Sequence, residues 1–180
     1  MSRHSRRFAL THLLDEDAIG LEARAENDDH LSLKLWLRLL ACSTQVEIEV
    51  RSRLRERFGI SLARFDYLAQ LHRHPDGLRM STLSRYLMVT GGNVTALTDE
   101  LARDGLVVRE TDAEDRRSVL LRMTPAGHKA FARIAREHEQ WVIELFAGVD
   151  TNHKQSLYEL LGRLRVQMAA VRTPATGVHR

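Results

Sequence analysis

The sequence predicts a mainly helical fold carrying one small β-hairpin, and three observations predict it. A stretch free of Gly and Pro and rich in helix formers runs from Leu31 to the stop at Gly59. Two short helical patterns flank the small polar turn Thr90-Gly91-Gly92-Asn93. Two runs of β-formers, Leu106 to Thr111 and Val119 to Met123, are then joined by the polar stretch Asp112 to Ser118. Two short helices around a turn, followed by a hairpin, make a winged helix-turn-helix. The long helices before and after it are suited to dimerisation.

A chain of 180 residues suits one compact domain, since domains commonly run from about 50 to 250 residues. With 43% hydrophobic and 28% charged residues it can build a core, which excludes gross disorder. The net charge of +3 is too small to argue for a nucleic-acid partner, so the distribution of charge matters more. Arginines gather at Arg51, Arg53, Arg55 and Arg57 and again at Arg116 and Arg117, and acids at Asp15 to Asp17 and Glu26 to Asp29. A single cysteine, Cys42, excludes an internal disulfide or a cysteine-rich zinc site and fits a reducing cytoplasm. Acids from Asp15 onward interrupt the apolar run Phe8 to Leu14 before a signal-peptide core forms, and no stretch is long enough to span a bilayer.

Taken in order, residues 1–30 read as an N-terminal arm of mixed charge with weak periodicity. In the first long helix, Val46, Val50, Leu54 and Phe58 recur along one face. Ser61 caps a second helix with the stripe Leu62, Phe65, Leu68, Ala69 and Leu71, which ends before Pro75. Pro75-Asp76-Gly77 is a turn, Leu78 to Met80 is extended, and Ser81 caps a third helix of about two turns carrying Leu83 and Leu87. Val94, Leu97 and Leu101 form the stripe of a fourth helix that closes at Gly105. Thr124-Pro125 opens a fifth helix with Thr as N-cap; it carries Phe131, Ile134, Trp141, Val142 and Leu145. Asp150 or Thr151 opens a sixth, in which Leu157, Leu161, Leu164, Met168 and Val171 alternate steps of four and three and so call for a helical partner. The winged helix-turn-helix thus spans about residues 61–123, the dimerisation helices 31–58 and 124–172, and residues 173–180 form a tail.

Five fragments carry a resemblance: Leu83-Ser84-Arg85-Tyr86-Leu87, Asn93-Val94-Thr95 through Leu101, Asp104-Gly105-Leu106-Val107, Asp115-Arg116-Arg117 and Met123-Thr124-Pro125-Ala126-Gly127. In this order and spacing the chain resembles the MarR family of bacterial regulators from about Leu31 to Val171. The resemblance implies a cytoplasmic homodimer with two winged lobes facing successive major grooves of double-stranded DNA, most often a repressor, with no catalytic activity and no cofactor. Ala96 and Glu100 stand where family members often carry basic residues, so base reading is not carried over to them. The wording Gly91-Gly92-Asn93-Val94-Thr95 also resembles a subgroup that controls aromatic-acid catabolism, some of whose members sense aromatic acyl-CoA thioesters.

On the fourth helix, the recognition helix, Asn93, Thr95, Ala96 and Asp99 lie away from the apolar stripe. Asn can bond both edges of adenine, Thr can reach a phosphate or base, and an Ala methyl can touch a thymine methyl. Gly91 and Gly92, beside Thr90, either admit a phosphate at the helix N-terminus or only form the turn. Ser81 and Ser84 serve as caps and phosphate donors. At the hairpin tip Arg116 is expected in a minor groove, and the resemblance implies that Asp115 holds Arg117, with the roles of the two arginines open to exchange. The arginines from Arg51 to Arg57 spread around about two faces, as surface or salt-bridge groups. Cys42, in an apolar run, is expected to be a buried inert thiol, and the nine histidines show no metal-ligand pattern.

In the family the ligand pocket is lined by the first, second and fifth helices. This nominates Trp36, Arg38, Cys42, Phe65 and Trp141 for a small-molecule effector, an aromatic acid or aromatic acyl-CoA. Arg38 either pairs with an effector's carboxylate or phosphate or forms a structural salt bridge. The competing reading from another class is a non-enzymatic interaction module that grips a protein partner with the winged surface.

Overall fold

The computed structural model describes residues 31–87, 91–111 and 119–171. The N-terminal arm, Thr90, the hairpin tip with Asp115, Arg116 and Arg117, and the tail lie outside the described residues. The order is α1 (Leu31–Phe58), α2 (Leu62–Arg73), β1 (Leu78–Arg79), α3 (Met80–Leu87), α4 (Gly91–Arg103), β2 (Val107–Thr111), β3 (Val119–Met123), α5 (Pro125–Leu145) and α6 (Thr151–Val171). The chain divides into two compact units, residues 1–138 and 139–180, with the boundary inside α5.

Helix α1 stops where expected. Gly59 takes φ +65° and donates to the Arg55 carbonyl, a left-handed cap that a residue with a Cβ adopts only at a cost. Of its apolar face, Val50 and Leu54 are buried, whereas Leu31, Leu33, Leu35, Trp36 and Leu40 in its first half are exposed. Cys42 lies on this unpacked half and is exposed, correcting the expectation of a buried thiol. An apolar neighbourhood in sequence buries a side chain only where another element covers that face. The arginines behave as surface groups: Arg51 pairs with Glu47, Arg53 with Glu49 at 2.6 Å and Arg57 with Glu137 at 2.9 Å.

The Ser61 hydroxyl caps α2, accepting from the Arg64 amide at 3.3 Å. Phe65, Leu68 and Leu71 of the expected stripe are buried, and Tyr67 is buried with them. Helix α2 packs on α3, α4 and β3, which makes it the floor of the lobe. The third helix begins at Met80, so Ser81 lies inside its first turn and is not the N-cap. The extended piece before it pairs as β1 with the hairpin, giving a three-stranded antiparallel sheet in the order β1-β3-β2, with Leu78 opposite Leu121 and Val107 opposite Met123.

The corner between α4 and β2 is tied from two sides. The Gly105 amide donates to the Ala102 carbonyl and the Leu106 amide to the Leu101 carbonyl, closing α4 in a Schellman motif with Gly105 at φ +70°. The Thr124 hydroxyl then donates to the Gly105 carbonyl at 2.7 Å and accepts from the Gly127 amide at 2.9 Å, while the Thr124 amide donates to the Leu106 carbonyl at 3.0 Å. A Cβ at Gly127 would fall on the Leu106 carbonyl oxygen.

Between α2 and α5 runs a ladder of rings. His138 lies 4.7 Å from Phe65, Phe65 5.6 Å from Phe131, Phe131 4.8 Å from His72 and His72 5.9 Å from His128, centroid to centroid. Burial lowers the pKa of His138 below its ordinary 6.5.

Two outcomes follow from these contacts. Gly127→Ala forces the Leu106 carbonyl to move and destabilises by about 1–3 kcal/mol, as overpacking does, while Thr124→Ala removes the cap for about 0.5–2 kcal/mol; denaturant unfolding measures both. The folded chain keeps His138 neutral while the unfolded chain takes up its proton, so this residue's contribution is fully present above pH 6.5 and is lost as pH falls through the lowered folded value. Compared with wild type across a pH series, His138→Phe removes that part of the acid destabilisation, and identical slopes would refute the assignment.

Candidate nucleic-acid interface

Helix α4 is oriented from beneath. Val94, Thr98 and Leu101 are buried on its inner side, where the apolar stripe was expected through Leu97. Thr98 is the only buried polar residue among the described residues, at 0% exposure. Its hydroxyl donates to the Val94 carbonyl at 2.6 Å and lies 2.6 Å from the Tyr67 hydroxyl of α2, which leaves Thr98 as the acceptor of that second bond. Burial pushes the Tyr67 phenol up to about 12, so it stays a neutral donor. Sequence reasoning missed this pair. A threonine one step off an apolar stripe reads as surface, and its partner lies 31 residues away.

The outer side of α4 carries the residues expected to face DNA. Asn93, Thr95, Ala96 and Asp99 are all exposed. Thr95 donates to the Gly91 carbonyl at 3.1 Å and lies 3.4 Å from the Met80 sulfur, so its hydroxyl is engaged locally. Asp99 is ion-paired with Arg109 of β2. Gly91 and Gly92 form the first turn of α4 itself, and neither takes a positive φ. A Cβ at either position would meet nothing within 4 Å, so the fold does not require glycine there. What their smallness leaves is open space over the first amides of α4, which have no partners within the helix. Ser81 is exposed near the start of α3.

The hairpin strands β2 and β3 pair in full register from Val107↔Met123 to Thr111↔Val119, which sets Thr111 and Val119 side by side. Arg122 and Glu110 form a cross-strand pair at 3.2 Å. The corner fixed by Thr124 holds the base of this hairpin directly against the end of α4.

The residues nominated for a ligand are not gathered in the same way. Trp36, Arg38 and Cys42 are exposed on the first half of α1. The buried part of that helix begins at Val50, about 12 Å beyond Cys42 at 1.5 Å per residue. Phe65 is buried against Phe131 and His138, and Trp141 is buried in the second unit. The ring contact between His72 and His128 links two histidines that lie far apart along the chain and share no sequence pattern.

The sequence profile of the MarR family matches residues 58–118. A MarR family transcriptional regulator from Silicibacter pomeroyi, known from its crystal structure, is 33% identical, with a TM-score of 0.65 and a match covering 82% of this chain and 100% of that one. YdgJ of Bacillus subtilis, an uncharacterised HTH-type transcriptional regulator, is 28% identical over 141 residues, 73% of this chain and 85% of its own. The transcriptional activatory protein BadR of Rhodopseudomonas palustris is 29% identical over 125 residues, 68% of this chain and 71% of its own.

The Tyr67 and Thr98 hydroxyls make an unequal pair under mutation. Thr98→Val strands a buried phenol without an acceptor and costs about 1–3 kcal/mol, whereas Tyr67→Phe removes one bond for about 0.5–1.5 kcal/mol. The double variant, by denaturant unfolding, costs less than the sum of the two.

Proposed function

The chain belongs to the MarR family of DNA-binding transcriptional regulators, and on that premise we propose that it is a homodimeric, ligand-responsive repressor. In this reading it grips an inverted-repeat operator and releases it when a small anionic aromatic effector, or its CoA thioester, binds. The observation that carries the reading is the outer face of α4. Asn93 and Ala96 are exposed there above a buried anchor, with two glycines clearing the first turn and a paired hairpin at the far end. A helix so presented fits a major groove, where Asn93 bonds adenine and the Ala96 methyl touches thymine. The tip Asp115-Arg116-Arg117 supplies cation to the adjoining minor groove, with Ser81, Thr90, Gly91 and Gly92 near phosphates.

Dimerisation is supported by apolar surface that is exposed among the described residues. On α6, Leu157, Tyr158, Leu160, Leu161, Val166 and Met168 are exposed, as is the apolar first half of α1. Covering such surface is favourable by roughly 25 cal/mol per Å². Two-fold symmetry then places half-sites about 10 to 10.5 base pairs apart. Effector binding is assigned to Trp36, Arg38, Cys42, Phe65 and Trp141, an indole and a cation suiting an aromatic anion. The name of BadR as an activatory protein makes the direction of control the first thing for a transcription assay to decide.

Footprinting of the duplex that the protein selects from a randomised library tests the proposal. Two symmetric half-sites are expected, and a single asymmetric one would overturn it. Asn93→Ala weakens that site by about 1–3 kcal/mol and leaves a scrambled duplex nearly unaffected. Aromatic acids and their CoA esters quench tryptophan fluorescence and release the duplex; a panel without effect on either removes the effector assignment.

A further inference from the structure

The helix assigned to base reading is short of cations. Between Gly91 and Arg103 it carries Asp99 and Glu100 and no basic residue before Arg103 itself. DNA presents one negative charge per about 1.7 Å of its axis, so an acid on the reading face calls for an explanation. At 100° per residue Asp99 lies with Ala96 and Gly92 on the side of α4 opposite Val94, Thr98 and Leu101. Its carboxylate engages Nη2 of Arg109, near the middle of β2 and opposite Leu121. The two side chains remain 50% and 38% exposed, so neither is withdrawn from the surface. Both charges act on the Tyr67 phenol, Arg109 lowering its pKa and Asp99 raising it, which sets the pair beside the Tyr67–Thr98 anchor.

We infer that Asp99 is a specificity-determining residue that acts through Arg109 and reads no base. Held by Asp99, the Arg109 guanidinium is neutralised and kept between α4 and the wing strand. A complex held only by phosphates, as on any random sequence, gains nothing from it and meets an acid where it needs a cation. Specificity is a difference of affinities, and weakening the wrong complex raises it as surely as strengthening the right one. In the correct complex Asn93 and the groove contacts supply the affinity, and the pair costs little. The inference rests on the DNA-binding reading above and adds to it how random sequence is refused.

The test uses the full chain as wild type, Asp99→Asn, Asp99→Glu, Arg109→Gln and the double variant Asp99→Asn with Arg109→Gln. Each is titrated with the library-selected duplex and with a scrambled duplex of the same length across a salt series. Asp99→Asn frees one cation. Its affinity for the scrambled duplex rises about eightfold at roughly 0.1 M salt, and the slope of log affinity against log salt steepens by about 0.9, the value of one phosphate contact. The ratio of selected to scrambled affinity falls. Arg109→Gln weakens both complexes, the double variant returns the slope to wild type, and Asp99→Glu, which keeps the charge, retains the wild-type slope. Matching thermal unfolding confirms that the variants are folded, as expected for an exposed pair.

An unchanged scrambled-duplex slope in Asp99→Asn overturns the inference. So does a loss confined to the selected duplex and traced to one C·G pair, because Asp99 then reads cytosine directly. Wild-type protein without salt-dependent affinity for any duplex would instead bring down the DNA-binding reading itself, a different result from a wild type that binds normally beside an inert Asp99→Asn.

Discussion

The geometry of the lobe depends on one corner, the turn at Gly105 and Leu106. Three elements meet there: the end of α4, the start of β2 and the N-terminus of α5. The helix can end as it does only because Gly105 accepts a left-handed conformation, and the Schellman closure uses the carbonyls that α4 leaves unpaired. The remaining polar groups of the corner, the Gly105 and Leu106 carbonyls, are taken by Thr124. Gly127 lets α5 approach so closely that a methyl group does not fit. A shift of this corner would move the base of the hairpin and α4 together.

Helix α4 is therefore held at two points of different character. Its end is fixed by backbone hydrogen bonds, which determine position. Its middle is fixed by Thr98 and Tyr67, buried hydroxyls that determine rotation about the helix axis, because only one face of α4 can bring a hydroxyl to the phenol. Apolar packing of Val94 and Leu101 alone tolerates small rotations, since burial is roughly proportional to area and has no direction. A buried hydrogen bond does not tolerate them, because leaving the phenol unpaired costs its full desolvation. The exposed outer face, with Asn93, Ala96 and Asp99, inherits its orientation from this inner constraint.

Charge is distributed differently from what the totals suggest. The net excess of +3 is small, and several arginines are paired within the protein: Arg51, Arg53 and Arg57 with glutamates, Arg64 with Asp104, Arg109 with Asp99 and Arg122 with Glu110. Arg64–Asp104 reaches from the floor helix to the residue just before the Gly105 corner, and Arg109–Asp99 joins β2 to α4. Both are partly exposed and contribute modestly to stability. Their structural consequence is that α2, α4 and β2 carry paired charges at their junctions.

What the sequence by itself determined was mostly local. Helix ends at Gly59 and Gly105, caps at Ser61 and Thr124, the break before Pro75 and the hairpin strands were legible because each follows from the backbone preference of a few adjacent residues. The apolar stripes were legible because the 3.6-residue period sorts side chains by face. The exposed outer face of α4 followed as the complement of its buried face. The tertiary structure alone decided which faces find a partner and with whom. Val50 and Leu54 are covered while Leu33, Trp36 and Cys42 on the same helix are not. Ser81 was displaced from its cap because β1 pairing with β3 leads the chain into α3 at Met80, two residues early. Thr98 became an anchor and Asp99 an ion-pair partner because Tyr67 and Arg109, distant in sequence, arrive beside them. Period and propensity say which way a side chain points; the energy of a hydroxyl or a charge depends on what lies opposite it, and that is settled only when the chain has folded back on itself.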